Sequence, residues 1–359
     1  MIDLNFPYIK YPTGKSHKEW GILHGEQFAS SIRELCHIRK ELMLKKNPAL
    51  ESDLDRLAKA QFDVSKEFAP DLCAELQGIS IGAKVSLTDI IILNNYTDFR
   101  DIELPEEGCS SAHLQRNGAV SAGQTWDMHQ SAKNFVCVMH LFENGQDVLL
   151  FSLVGCLGLM GINSNNNLVG VNNINTKNAK AGLIWPLLVR AMLSQRHLSD
   201  MESVLIKAPV TSGHNYLLSS PEGGRHWETS PRVSEKVAEI GKGEEGFIFH
   251  TNHCLGQKTS ALEIKESLSS TTFNRFEILE KNQKTILDLN ALFKDHEGYP
   301  KSICSHFESG LQDPSMTCGG AVADYFAAKY SFWRGCPVYD KNYVEYEFIL
   351  EKNHFKKVK

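Results

Sequence analysis

The stretch "LPEEGCSSAHLQ" (residues 104–115) divides the chain into two kinds of sequence. Before it, apolar residues recur at helical spacing: Ile32, Leu35, Cys36, Leu42 and Met43 fall on one face of a helix. "SLTDIIILNNY" (86–96) opens with Ser86 and Thr88, residue types that cap helix N-termini. After Gly108 the pattern becomes one of short strands: "SSAHLQ", "AVSAGQTW", "FVCVMHLF", "DVLLFSLV", "LVGVNNIN", "HNYLLSS", "RHWETS" and "GFIFHTN", with Gly and Asn between them. "ENGQD" (143–147) reads as a hairpin turn. Helical patterns interrupt at about 183–206, which contains Pro186, and at about 271–295, before a last group of strands that includes "YVEYEFIL" (343–350).

Helices grouped before and among many antiparallel strands predict an α+β fold, two sheets covered by helices, rather than an alternating βαβ fold. There is no internal repeat, low-complexity tract or linker, so residues 1–359 read as a single domain. With 42% hydrophobic and 23% charged residues, the chain is an ordinary globular sequence, long enough to bury a sizeable core. A net charge of −5 gives no basic footprint, so nucleic acid and anionic membrane surfaces are not the expected partners, and a small molecule is. No segment approaches the ~18 apolar residues of a membrane span, and the N-terminus lacks the basic start and apolar run of a signal peptide. A cytoplasmic protein is therefore expected. The nine cysteines are an odd number, scattered, and without a C-x-x-C pair, which fits reduced thiols rather than a disulfide framework or a zinc site. The expectation is no metal and no cofactor.

Two motifs are set aside on physical grounds. "GCLGLMG" (155–161) has the spacing G-x-x-G-x-x-G, has no lysine and leads into "INSNNN" rather than a helix, so it reads as a tight turn and not a phosphate cradle. In "HTNHC" (250–254), histidines three apart on a strand would point to opposite faces, which does not make a metal site. Cys109 is harder to dismiss. A free cysteine is usually a small buried hydrophobe. Here, though, Gly108 allows the strained or left-handed backbone that a nucleophile needs to swing back onto the preceding carbonyl. The preceding "LPEE" is polar and expected to be exposed, leaving room for a cut, and Asp127 in "GQTWDMHQ" lies one strand further on, within reach of a hairpin.

The Gly108–Cys109 junction, the "TWD" tripeptide, "GINSNNNLVGVN" (161–172), "SGHNYLL" (212–218), "TNH" (251–253) and "GILHGEQF" (21–28) recur together in one family. In these motifs and their order the chain resembles the acyl-coenzyme A:6-aminopenicillanic acid acyltransferase family, the C45 peptidase group of self-processing N-terminal nucleophile (Ntn) hydrolases. Asn167 stands where that family usually has glycine, and asparagine is the next choice at positive φ. Ser305 in "SICSHF" stands where relatives carry an arginine, which leaves a guanidinium role there open.

The resemblance implies an Ntn-hydrolase αββα sandwich, two antiparallel sheets between helical layers. It implies self-cleavage at Gly108/Cys109 into an α-chain (1–108) and a β-chain (109–359) that stay associated as a heterodimer. The free α-amino group of Cys109 would serve as base for its own thiol, Asp127 would orient and charge-stabilise the ammonium, and Asn252 would donate to the oxyanion. Asn172 and Asn215 are carried over as substrate-binding candidates. The implied activity is cleavage or transfer of an acyl group from an amide or thioester through an acyl-Cys109 intermediate, with acyl-CoA as one possible substrate. Two other readings stay open: an intact-chain hydrolase with a Cys–His pair, and a non-catalytic binding protein on the same scaffold.

Overall fold

The change of period at residue 108 is a structural seam in the computed structural model, which describes residues 2–101, 108–306 and 315–359. The "LPEE" segment lies outside the described residues. Before the seam come strand β1 (Tyr8–Lys10) and helices α1 (His17–Gln27), α2 (Ala29–Lys46), α3 (Leu54–Phe68), α4 (Pro70–Ala83), α5 (Leu87–Asn94) and α6 (Tyr96–Asp101). Ser86 caps α5, its hydroxyl accepting the Asp89 N–H at 3.0 Å; Thr88 donates to Asp55 instead.

After the seam the chain is mainly strand. The strands are β2 (Ser111–Arg116), β3 (Ala119–His129), β4 (Val136–Glu143), β5 (Gln146–Leu153), β6 (Met160–Asn163), β7 (Leu168–Asn173), β8 (His214–Ser220), β9 (Gly223–Ser230), β10 (Val233–Ile240), β11 (Gly246–His250), β12 (Ser315–Asp324), β13 (Lys329–Arg334), β14 (Val344–Glu351) and β15 (His354–Lys357). Helices α7 (Trp185–Leu193) and α8 (Leu198–Lys207) follow β7, and α9 (Gln257–Ser260), α10 (Ser270–Asn282) and α11 (Leu289–Leu292) follow β11. Asn144 and Gly145 both take positive φ, the two-residue hairpin turn expected of "ENGQD".

The strands form two sheets, ordered β1-β4-β5-β6-β7-β8-β9-β10 and β11-β2-β3-β12-β13-β14-β15. They stack face to face, with α7 and α8 against the first and α10 and α11 against the second. The expectation of two antiparallel sheets needs one correction: β1 pairs with β4 in parallel, Tyr8 opposite Val138. Helices α1–α6 and the β2–β3 hairpin of the other sheet separate the two strands, and so long a connection, unlike a hairpin, can return a parallel strand. No single helix among the described residues is long and apolar enough to cross a membrane.

Residues on both sides of the seam share one core. Ile32, Leu35, Ile90 and Leu93 pack in the same buried cluster as Leu150, Val171 and Leu217. "GILHGEQF" owes its glycines to packing: Gly21 and Gly25 of α1 meet Gly78 and Gly82 of α4 so closely that a Cβ on Gly21 would lie 2.1 Å from the Glu75 carbonyl oxygen. His24, between them, accepts the Gly155 N–H at 2.8 Å and so anchors the "GCLGLMG" turn. Positive φ in the "SNNN" turn falls on Asn166, not on Asn167 as the family pattern suggested; Asn167 instead donates to the Arg196 carbonyl at 2.9 Å.

Candidate active site

Strand pairing assembles the site. In the β2–β3 hairpin Ser111 faces Gln124, and continuing that register places Gly108 opposite Asp127. On the other side of β2, His250 of β11 faces Ser111, and the same continuation places Asn252 opposite Cys109. Three adjacent strand ends thus deliver Asp127, Cys109 and Asn252 to one place, and all three line one cavity with Trp126, Asn173 and His214.

The contacts are direct. The Cys109 N–H donates to Asn252 Oδ1 at 2.7 Å. Asn252 Nδ2, expected to face the oxyanion, donates to the Asn173 carbonyl at 2.9 Å, which leaves one amide hydrogen uncommitted by that bond. The glycine at 108 also has a cause in the packing around it. A Cβ there would lie 2.6 Å from Arg275 Nη2 and 2.9 Å from Asp127 Oδ2, so the missing side chain lets the peptide sit against both charged groups.

Arg275 is the residue that sequence reasoning missed. It is fully buried, donating through Nη1 to the Cys109 carbonyl at 2.5 Å and to Ser110 Oγ at 3.0 Å, and through Nη2 to Asn252 Oδ1 at 2.8 Å. Helix α10 positions it: Thr272, one turn earlier on the same face, accepts the Asn252 N–H at 2.8 Å. The signal was available, since Thr271, Thr272, Arg275 and Leu279 form the helix's buried stripe and a charge there needs partners. The guanidinium at this site comes from α10, and position 305 carries a serine. Ser305 does something else: its N–H donates to Thr317 Oγ1 at 2.7 Å, and the Thr317 hydroxyl donates to Asp127 Oδ1 at 2.7 Å.

Asp127 is buried, and its Oδ2 has no hydrogen-bond partner among the described residues. Burial pushes its carboxyl up to about 6, against the opposing pull of Arg275 and the Thr317 hydroxyl. Arg275 Nε stands 4.0 Å from that oxygen, beyond hydrogen-bond reach. Burial likewise lowers the Arg275 pKa, while Asp127 and Cys109 oppose that change.

Asn172 and Asn215 do not line the cavity. They face each other across β7 and β8, where Asn215 Nδ2 donates to Asn172 Oδ1 at 2.8 Å and the Ser111 hydroxyl donates to the same oxygen at 2.5 Å. Alternation along β7 explains the difference, because Asn173, the next residue, points to the opposite face and reaches the cavity. His214 is the cavity's histidine among the described residues. Its Nε2 lies 3.3 Å from Asp98 Oδ1, and burial lowers its pKa to about 3, which makes it a poor base for a cysteine partner.

The family model described as acyl-coenzyme A:6-aminopenicillanic acid acyl-transferase matches residues 114–315, more than half of the chain. The chain belongs to this family. Asp127, Asn252 and Arg275 lie within the matched region. A curated relative, the acyl-coenzyme A:6-aminopenicillanic-acid-acyltransferase 40 kDa form of Emericella nidulans, is 24% identical over 327 residues, covering 89% of this chain and 90% of the relative. Among solved structures, a mutant of the conjugated bile acid hydrolase from Clostridium perfringens matches with 12% identity and a TM-score of 0.41, over 70% of this chain and 96% of that one. Penicillin V acylase from Agrobacterium tumefaciens matches with 12% identity and a TM-score of 0.36, over 70% and 98%. As a member of the acyltransferase family, the chain is an enzyme of acyl transfer or amide hydrolysis.

Proposed function

We propose that this chain is a self-processing N-terminal cysteine amidohydrolase or acyltransferase that works through an acyl-Cys109 intermediate. The observation that carries the reading is the setting of the 108–109 peptide: its nitrogen is held by Asn252, and its glycine lies against the unpartnered Asp127 Oδ2. In the uncut chain the Asp127 carboxylate takes the thiol proton, and the sulfur attacks the Gly108 carbonyl carbon. With an acidity near working pH, Asp127 suits that task. The C–N bond then breaks, the proton passes to the Cys109 nitrogen, and water hydrolyses the resulting thioester to release Gly108 as a carboxylate.

The new α-amino group, with an ordinary pKa of about 7.7–8.0, becomes the base for the thiol in turnover. Asn252 Oδ1, already bonded to that nitrogen, orients it, and Asp127 balances its charge when protonated. The remaining Asn252 amide hydrogen serves the oxyanion, a contact whose loss costs about 10²–10³ in rate. Arg275 fixes Asn252 and the Cys109 carbonyl in register. The sulfur attacks an amide or thioester substrate, an acyl-CoA among them, and the amine or thiol leaves with the proton. Water or an amine then accepts the acyl group.

Residues 1–108 stay with 109–359 as an αβ pair, a reading supported by the common core and by hydrogen bonds such as Gly155 N–H to His24. Intact mass after mixing with short acyl-CoA thioesters and amide substrates tests the central step. An acyl adduct confined to the peptide beginning at Cys109, and missing in Cys109→Ala, is expected; an adduct elsewhere, or turnover by the alanine variant, overturns the reading.

A further inference from the structure

Four residues within a stretch of about forty meet beside the ends of β12 and β13 in the second sheet. His296 follows α11, Cys304 and His306 lie on the segment leading toward β12, and Cys336 follows β13. Their ligand atoms all lie within 4.8 Å of one another. His296 Nε2 is 3.1 Å from Cys336 Sγ, and Cys304 Sγ is 3.8 Å from His306 Nε2. Around a tetrahedral zinc with ~2.3 Å bonds to sulfur and ~2.0–2.1 Å to nitrogen, neighbouring ligand atoms stand about 3.3–3.8 Å apart. The side chains therefore need to close by little.

We propose that His296, Cys304, His306 and Cys336 form a tetrahedral zinc site with two thiolate and two imidazole ligands. Two sulfurs and two nitrogens are the donor set that favours zinc over the harder divalent cations. The surroundings suit a thiolate: Cys336 Sγ accepts backbone N–H groups from Val338 and Tyr339, each at 3.4 Å, the outer support that metal-bound sulfur needs. The imidazoles are held as well. The His296 and His306 rings stack with centroids 5.4 Å apart, and Tyr339 stands edge-on to both at 5.2 Å. Both cysteines are buried and both histidines half-buried, so the site is shielded yet reachable by an ion.

Four protein ligands leave no open position, so the metal is structural rather than a Lewis acid. Its location gives it a second consequence. Ser305, between two of the ligands, donates to Thr317, which donates to Asp127. The metal ties the segment carrying Ser305 to the loop after β13 and thereby steadies the hydrogen-bond chain that ends on the Asp127 carboxylate. Only this consequence bears on the proposed function; zinc content is read without any substrate, so the two can fail separately.

The test uses the full chain, expressed with zinc chloride in the medium, gel-filtered and assayed by elemental analysis. About one zinc per chain is expected in the wild type, and at least a tenfold loss in Cys336→Ser and His296→Asn. Cys73→Ser, which removes a buried thiol elsewhere, should keep the metal. Cobalt chloride added to chelator-treated wild-type protein should give thiolate-to-cobalt charge-transfer absorption, which Cys304→Ser weakens by taking one of the two thiolates away. That readout needs no correctly folded zinc-free variant, because the wild type itself is emptied and refilled. Wild-type protein that neither retains zinc nor takes up cobalt, or a Cys304–Cys336 disulfide in freshly purified protein, overturns the proposal.

Discussion

Two buried clusters of charge use the same side-chain types to opposite ends. In the first, Arg190 donates to Glu143 Oε2 at 2.8 Å and to Glu75 at 3.3 and 3.4 Å, while His17 joins both acids, 2.9 Å from Glu75 Oε2 and 3.0 Å from Glu143 Oε1. Every polar side-chain atom in it has a partner. Burial works against the charges of Glu143, His17 and Arg190 but is outweighed: Glu143 falls to about 2 under Arg190 and His17, and His17 rises to about 9 through its bonds to Glu143 and Glu75. In the second, Arg275 faces a single carboxylate at 4.0 Å, and both Asp127 Oδ2 and Arg275 Nε lack hydrogen-bond partners among the described residues. There burial wins, raising Asp127 and lowering Arg275. The lesson is that a buried charge with all its partners holds a fold together, whereas one left short is available for chemistry. The geography agrees, since the satisfied cluster joins residues on either side of the 108/109 bond and the unsatisfied one lies at that bond.

The contrast breaks first at Asp127. Asp127→Asn keeps the size and removes the base, so self-cleavage should slow by about 10²–10⁴, read as intact mass against time. Wild-type rates would place the proton elsewhere. Arg190→Leu should do the reverse, destabilising the fold by about 3–5 kcal/mol in chemical denaturation by stranding buried carboxylates, while leaving the pH dependence of cleavage in the folded fraction alone. A shifted pH profile in that variant would merge the two clusters into one.

A pH series sharpens the difference. Cleavage should accelerate with rising pH as Asp127 loses its proton, with a midpoint of about 6. Arg275 favours the carboxylate, so Arg275→Gln should move the midpoint upward as well as slow the reaction; an unchanged midpoint would remove Arg275 from the electrostatics of the site. The smallest effect belongs to His17. Its folded-state pKa of about 9 lies above the ordinary 6.5, so its stabilisation is complete below pH 6.5 and disappears as pH rises through 9. The wild type should lose about 2–4 °C of Tm across that window relative to His17→Gln. Parallel curves would deny the linkage.

Much of the architecture was legible because period and composition are local. The helical spacing of Ile32 and Leu35, the strands after Gly108 and the Asn144–Gly145 turn need no distant partner to be recognised. The meeting of Cys109 with Asp127 was legible for the same reason, through one hairpin. What escaped depends on registers that sequence alone does not carry. The parallel pairing of β1 with β4, the choice of Asn173 over Asn172 for the cavity, and Arg275 reaching back to residue 109 all rest on pairings between remote segments. The scattered cysteines read as packing because no C-x-x-C marks a ligand pair, yet Cys304 and Cys336 are brought together by the loops flanking β12 and β13.

The intact mass of freshly purified wild-type protein, beside Cys109→Ala, tests the central claim most directly. The account predicts two wild-type polypeptides that co-elute in native gel filtration, one ending at Gly108 and one beginning at Cys109, and a single alanine variant chain of 40.3 kDa. A fully active wild type that stays uncut, or an alanine variant cut at the same bond, would contradict it.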